Sequence, residues 1–204
     1  MASNNSDEDK TVMCLGAPLP KEIFEEIKKI LRPQIGDIRW NDPRNWFINF
    51  QSFFKARPEL DLKKLKNALT EKIYYPYYPI LLQPRDLVLS PSNAKPRTLE
   101  WKFDILKLKD PKAKIQDQIA GLTNAMQEIL KECSYSHQTM ECNPSLIWAR
   151  IPESMHQQPK QMKALEELVH TNMEKKQFYL EKLYMVMVTR DEFGLQYDYT
   201  VIEV

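Results

Sequence analysis

Three histidines, His137, His156 and His170, are the side chains of this chain best suited to move a proton near neutral pH. His137 opens a His-Gln-Thr triplet. On a strand, that spacing sets an imidazole and a hydroxyl on one face, where one can transfer a proton and the other can hold an oxygen. The triplet lies ahead of Pro144, at the entry to a strand and away from its centre, which marks it as a chance match. His156 falls in a polar stretch and His170 near a helix end, so both read as exposed and non-catalytic. The cysteines are Cys14, Cys133 and Cys142, an odd number with no Cys-x-x-Cys pair. They read as reduced thiols of a cytoplasmic or nuclear protein. Cys133, His137 and Cys142 are close in sequence, yet a fourth ligand and zinc-site spacing are missing, so no metal is expected. With four glycines and neither GxGxxG nor GxxxxGK[ST], no phosphate loop and no cofactor is expected. No nucleophile elbow supports a serine triad.

The elements that must position any chemistry follow from patterning. The 204 residues suit one domain, or two small lobes sharing a core. Apolar residues make up 43% and charged residues 28%, as in ordinary globular proteins. The net charge of +1 gives no bulk attraction to nucleic acid or membrane, although a local basic groove stays open. Residues 1–10 read as a disordered acidic tail without the apolar core of a signal peptide. No apolar run is long enough to predict a membrane span.

Thr11–Leu15 reads as a buried strand, and Lys21–Leu31 as an amphipathic helix with Ile23, Phe24, Ile27, Ile30 and Leu31 on one face. Asp37–Trp40 and the aromatic-rich Trp46–Phe54 read as strands. Asp61–Ile73 reads as a helix ended by the tyrosine cluster Tyr74–Pro79, which covers a core edge. Ile80–Ser90 and Leu99–Leu108 form two strands, the second with Leu99, Trp101, Phe103 and Ile105 alternating against Glu100, Lys102 and Asp104. Asp110 and Pro111 predict the start of a long helix with Ile115, Ile119, Leu122, Met126, Ile129 and Leu130 inward. Ser145–Ile151 is a strand, Gln161–His170 a helix, Phe178–Thr189 one central strand, and Gln196–Val204 its hairpin partner. Helices and strands mix without βα alternation while hairpins recur, which predicts an α+β fold with antiparallel sheets. The similar order of elements in the two halves suggests two lobes with approximate duplication. Residues 11–204 are then a single two-lobed domain.

This order resembles the 2H phosphoesterase (LigT-like) superfamily, whose members carry two His-x-[Ser/Thr] motifs on strands facing one cleft. The resemblance rests on Val12–Leu31 with its Leu-Pro junction, on Arg39–Phe54, on Asn143–Pro152 ("NPSLIWARIP"), and on the closing segment from Phe178 to Val204. The helix before that closing segment is similar to the eukaryotic branch found in A-kinase anchoring proteins and the ASC-1 complex subunit. The resemblance implies a two-lobed, pseudo-symmetric fold of antiparallel sheets flanked by helices.

It also assigns positions. The first motif's histidine falls at Phe47 and its hydroxyl at Asn49; the second motif's histidine falls at Ser145 and its hydroxyl at Ile147. Both imidazoles are absent. Phenylalanine carries no exchangeable proton, and an unactivated serine is a poor base. Losing one member of a proton-transfer pair costs on the order of 10²–10⁴ in rate. The expectation is therefore a catalytically inactive 2H-phosphoesterase-like protein acting as a binding or scaffold module among other proteins. It has no small-molecule substrate, no membrane and no cofactor. A second reading keeps RNA as a partner, with Arg39, Arg44, Lys55, Arg57 and Arg150 near the two motif strands. A third keeps a cyclic-phosphate or 2′–5′ phosphodiesterase with chemistry relocated to His137 or His170. Alternation sets Phe47, Asn49, Ser145 and Ile147 toward the cleft and Ile48, Phe50, Leu146 and Trp148 behind. Against this stands the plainer reading that Phe47 and Ile147 are core.

Overall fold

The first strand, β1 (Thr11–Pro18), is buried along its middle, at Cys14, Leu15, Gly16 and Ala17. A strand paired on both edges and covered on both faces carries a continuous small or apolar run instead of alternation. The computed structural model describes residues 11–23, 25, 39–40, 47–50, 54–55, 61–91, 96–133, 142–169, 176–190 and 197–204. The remaining strands are β2 (Arg39–Trp40), β3 (Phe47–Asn49), β4 (Phe54–Lys55), β5 (Ile80–Ser90), β6 (Thr98–Lys107), β7 (Ser145–Arg150), β8 (Phe178–Leu180), β9 (Tyr184–Arg190) and β10 (Tyr197–Glu203). Among the described residues, the α-helices of eight residues or more are α1 (Leu62–Leu69), α2 (Ile115–Cys133) and α3 (Pro159–Val169).

All described strand pairs are antiparallel and run in one path, β10-β9-β1-β3-β7-β6-β5-β8. β4 joins the edge of β1, and β2 joins β7. The two halves of the path meet where β3 pairs with β7, at Asn49 opposite Ser145. The α+β architecture with antiparallel strands and flanking helices is the one expected from the sequence. One face of the sheet is dry. Ile48, Phe50, Leu99, Trp101, Leu146 and Trp148 share a core cluster with Leu65, Leu69, Leu122, Met126, Ile129 and Leu165 from the helices. Trp148 and Trp101 meet there with ring centroids 5.7 Å apart, and Phe103 meets Phe178 edge-on at 5.9 Å. The inward stripe predicted for α2 is observed: Leu122, Met126, Ile129 and Leu130 are buried, and Ile115 and Ile119 pack partly against the core.

Several boundaries differ from the sequence expectation. β1 runs to Pro18, because its last residues still pair with β3. The single strand expected over Trp46–Phe54 is two pieces, β3 and β4, which meet the same edge of β1 at Gly16–Pro18 and at Val12–Met13. The helix expected to stop before the tyrosines continues past α1. A π turn (Thr70–Tyr74) and a final α turn (Tyr75–Tyr77) extend it. In that turn the Tyr75 N–H reaches back to the Thr70 carbonyl, five residues away, ahead of Pro76 with its missing donor. α2 begins at Ile115 and not at Pro111, because Asp110 caps a local turn through the Lys112 N–H at 2.8 Å.

The segment Phe178–Thr189 is the largest correction. It is two strands in opposite halves of the sheet path, β8 on β5 and β9 between β1 and β10. Its continuous apolar character reflects two buried stretches, and the polar pair Glu181-Lys182 between them marks the crossing. The tail, most of Lys21–Leu31, and His137 and His170 lie outside the described residues. Among the described residues, no helix is long and apolar enough to cross a membrane.

Candidate functional site

The face opposite the helices carries the candidate site. Phe47, Asn49, Ser145 and Ile147 are all partly exposed, while Ile48, Phe50, Leu146 and Trp148 beside them are buried. The four positions singled out in the sequence therefore lie on one face, apart from the core. Asn49 is directly opposite Ser145, and continuing that antiparallel register brings Phe47 level with Ile147. The position assigned to each motif's histidine thus faces the position assigned to the other motif's hydroxyl, as a two-fold arrangement of two such strands requires.

Neighbouring strands extend this row. Gly16 of β1 is opposite both Asn49 and Tyr184, and Ser145 is opposite Lys102 of β6. The floor thus reads Tyr184, Gly16, Asn49, Ser145, Lys102 across five strands. Phe47 is half-buried: its ring meets Tyr184 at a centroid distance of 6.4 Å and packs against a second small apolar cluster of Cys14 and Val186 on this face, so the plainer reading of Phe47 as a packing residue holds in part. Cys14 Sγ donates to Asn49 Oδ1 at 3.1 Å. That bond fixes the amide so that Asn49 Nδ2 is the end left to donate elsewhere. Burial pushes the Cys14 thiol up to about 12, so it stays protonated and serves as a donor. Gly16 allows the close approach of β1 to β3. A Cβ there would stand 2.8 Å from the Ile48 carbonyl oxygen and 3.3 Å from Asn49 Oδ1.

On the far side of Ser145, a β-bulge changes which residues face the floor. Leu99 pairs with Ala149 but Glu100 pairs with Ile147, so Trp148 is the extra residue of β7. The bulge shifts the phase of the strand: Trp148 and Ala149 are both buried, and Arg150 returns to the open side opposite Thr98. There Glu100 lies with Thr98 and Lys102 on alternate residues of β6. Thr98 Oγ1 donates to Glu100 Oε1 at 2.8 Å, and Lys102 Nζ donates to Glu100 Oε2. Burial by itself would raise the Glu100 carboxyl. Hydrogen bonds from Lys102, Thr98 and Ser90, with the Lys102 charge, outweigh it and hold the group below its ordinary value.

Of the basic residues named from the sequence, Arg39 and Arg150 are brought together as direct partners of β2 and β7. Lys55 pairs with Val12, four residues along β1 from the Asn49 level, or about 13 Å at strand spacing. Arg44 and Arg57 lie outside the described residues. His156 lies in the turn Glu153–Gln157 with Nε2 2.7 Å from the Pro96 carbonyl, so that nitrogen carries the proton and ties down the hairpin loop. Among the described residues, no cluster of His, Cys, Asp and Glu gathers as a metal site.

Sequence reasoning missed Cys14, Gly16, Tyr184, Ser90 and the Thr98–Glu100–Lys102 set. For β6 the signal was present, since Glu100 and Lys102 alternate against its apolar residues. Only the pairing of β6 with β7 turns that polar face into part of the floor.

No protein-family model matches the chain, and no curated protein matches it in sequence. Solved structures do. TT0787 of Thermus thermophilus superposes with a TM-score of 0.58 at 18% identity, over 94% of this chain and 95% of that one. A phosphoesterase superposes with a TM-score of 0.51 at 12% identity, over 95% of each chain. Usb1 of Kluyveromyces marxianus superposes with a TM-score of 0.51 at 12% identity, over 96% of this chain and 99% of that one. At these identities the likeness is one of fold, and it runs the full length of both partners. The α+β fold of antiparallel strands and flanking helices expected from the sequence is the fold these solved structures share.

Proposed function

We propose that this chain is a 2H-phosphoesterase-like domain that binds without cutting and serves as a recognition or scaffold module in a protein assembly. The observation that carries this reading is the register of Asn49 against Ser145. The motif positions meet as two facing strands would place them, yet they hold Phe47, Asn49, Ser145 and Ile147. None of these titrates near neutrality, whereas in-line phosphoryl chemistry needs a base at one end and an acid at the other. The neighbouring carboxyl, Glu100, is held low and already accepts from Lys102 and Thr98, so it is a weak base. The phenyl ring of Phe47 and the Ile147 side chain also make the floor less hospitable to a phosphate dianion at those positions.

Oligonucleotides ending in a 2′,3′-cyclic phosphate, and 2′–5′-linked dinucleotides, test the reading. The expected result is no turnover above the uncatalysed rate. Turnover that is lost in S145A would overturn it. Purification with its partners, with and without nuclease, then separates protein contacts from RNA-bridged ones.

RNA binding without catalysis is a second reading, favoured by the direct opposition of Arg39 and Arg150 and by Lys102 beside Ser145. Binding to single-stranded RNA should weaken steeply with salt, and Arg150→Ala should reduce the log–log salt slope by about 0.7. No binding at low salt ends this second reading and leaves the first intact.

A further inference from the structure

The two ends of the sheet path are built differently. β8 is three residues long, and so short an edge strand offers little to pair with. β10 is seven residues long, Tyr-Asp-Tyr-Thr-Val-Ile-Glu, and keeps register with β9 from Tyr197 to Glu203 without a bulge. It contains neither Pro nor Lys, two residues that commonly blunt an edge. Tyr, Thr, Val and Ile are good strand formers. Among the described residues, no strand pairs with the far side of β10. One bond fixes the direction of its backbone groups: the Val204 N–H donates to the Leu183 carbonyl at 3.0 Å. In an antiparallel ladder the N–H and C=O of one residue point to the same side, and successive residues alternate. Val204, Ile202, Thr200 and Asp198 therefore turn their backbone groups to β9, while Glu203, Val201, Tyr199 and Tyr197 turn theirs away from it.

We propose that this edge pairs with a second copy of the chain, β10 against β10, antiparallel about a two-fold axis at Thr200. In that register the strand is complementary to itself. Tyr199 comes opposite Val201 of the second copy and Tyr197 opposite Glu203, so every outward-turned residue meets another. Each such pair exchanges two backbone hydrogen bonds. An aromatic residue against a β-branched one, and threonine against threonine at the axis, are favourable cross-strand pairs. Asp198 comes opposite Ile202, so no acidic residue faces another, and Glu203 already has Lys182 as its partner at 2.9 Å. An axis at Tyr199 leaves Glu203 without a partner in the strand, and an axis at Val201 does the same to Tyr197. A two-fold pairing also closes on itself and occupies both edges in one step. The interface is narrow, seven residues a side against the roughly 20–30 of a standard one, so the pair separates on dilution. β10 lies three strands from β3, and the inference does not depend on whether the chain is catalytically silent.

Sedimentation velocity of the full chain from about 1 µM to about 1 mM tests this, since an interface of this size dissociates within that range. The dimer fraction should rise with concentration. Amide hydrogen exchange at the two ends of the range reads the edge itself. The Tyr199, Val201 and Glu203 amides should exchange more slowly in the concentrated sample, and those of Asp198, Thr200 and Ile202 should not change. Thr200→Lys and Thr200→Glu each set like charges across the axis and should weaken association at least about tenfold. An equimolar mixture of the two variants should restore it. Val201→Pro removes an outward N–H without taking a bond from β9, and should abolish pairing. A monomer at every concentration overturns the proposal. So does a dimer that survives both Thr200→Lys and Val201→Pro, or one whose protection lacks the alternation along β10. If the variants lose their fold, the exchange pattern of the unmodified chain carries the test alone.

Discussion

Gly16→Ala is the substitution whose outcome the geometry fixes most sharply. A methyl at Gly16 would stand 2.8 Å from the Ile48 carbonyl oxygen, a backbone atom inside the β1–β3 pairing. It cannot rotate away, because Gly16 and Ile48 are both held in the ladder. The strands must separate by a few tenths of an ångström, or the Ile48 peptide must tilt. Overpacking of this kind costs about 1–3 kcal/mol. Alanine in place of glycine also narrows the unfolded ensemble, which stabilises by about 0.4–1 kcal/mol. The clash is the larger effect, leaving a net loss of about 1–2 kcal/mol. For a chain of this size that lowers Tm by roughly 2–8 °C. Urea unfolding followed by tryptophan fluorescence reads the loss directly. The comparison is Gly121→Ala. There the nearest atom is the Tyr77 hydroxyl at 2.7 Å, the end of a movable side chain, and the next is 3.6 Å away. Gly121 sits inside α2, where alanine is favoured over glycine by about 1 kcal/mol. Gly121→Ala should therefore be neutral or stabilising. A Gly16→Ala protein as stable as the unmodified chain would refute the close approach of β1 and β3, and with it the floor built on that approach.

Cys14 and Cys142 are buried, and burial pushes both thiols up to about 12 from 9.0. In a Cys133→Ser background, alkylation of the folded chain by iodoacetamide should be at least about a thousandfold slower than in denaturing urea, since the thiolate is the reactive form. Native labelling of Cys14 at the unfolded rate would mean that the face of Phe47 and Tyr184 is open. Asp61 caps α1 by accepting from the Lys63 and Lys64 N–H groups at 3.0 and 3.1 Å. Asp61→Ala should cost about 1 kcal/mol in urea unfolding, and Asp61→Asn much less. The Glu100 carboxyl lies below its ordinary value when folded. It therefore contributes stability that is present above the unfolded carboxylate range and lost as pH falls through its lower folded value. Stability against pH for Glu100→Gln should lack that part of the acid decline, and superimposable curves would count against the Glu100 contacts.

Much of the fold was legible because local patterning and burial agree. The period of α2 and the alternation of β6 are consequences of one wet and one dry face, and each can be read within a few residues. Where neighbouring residues are both buried, as at Cys14–Ala17 of β1 and Met185–Val186 of β9, apolar runs lose their period, and ends and breaks go unseen. That is why Phe178–Thr189 read as one strand when it is two, on opposite halves of the sheet. The helix through Tyr77 went unseen for another reason: a π turn ahead of Pro76 is a backbone solution that side-chain types do not announce.

The sequence by itself determined which side chains are available: no imidazole at Phe47 or Ser145, no hydroxyl at Ile147, and an α+β chain able to form antiparallel strands. Those facts are set by residue identity and by periodicities of about two and 3.6 residues. Only the tertiary structure decided that Asn49 lies against Ser145 and that Lys102 lies against Ser145 on its other edge. Only the structure decided that Cys14 orients the Asn49 amide and that Thr98 and Lys102 converge on Glu100. Strand pairing joins residues far apart in the chain, and a one-residue bulge at Trp148 changes which of them face the floor. Register is a property of the folded ladder, set by contacts that no local window contains.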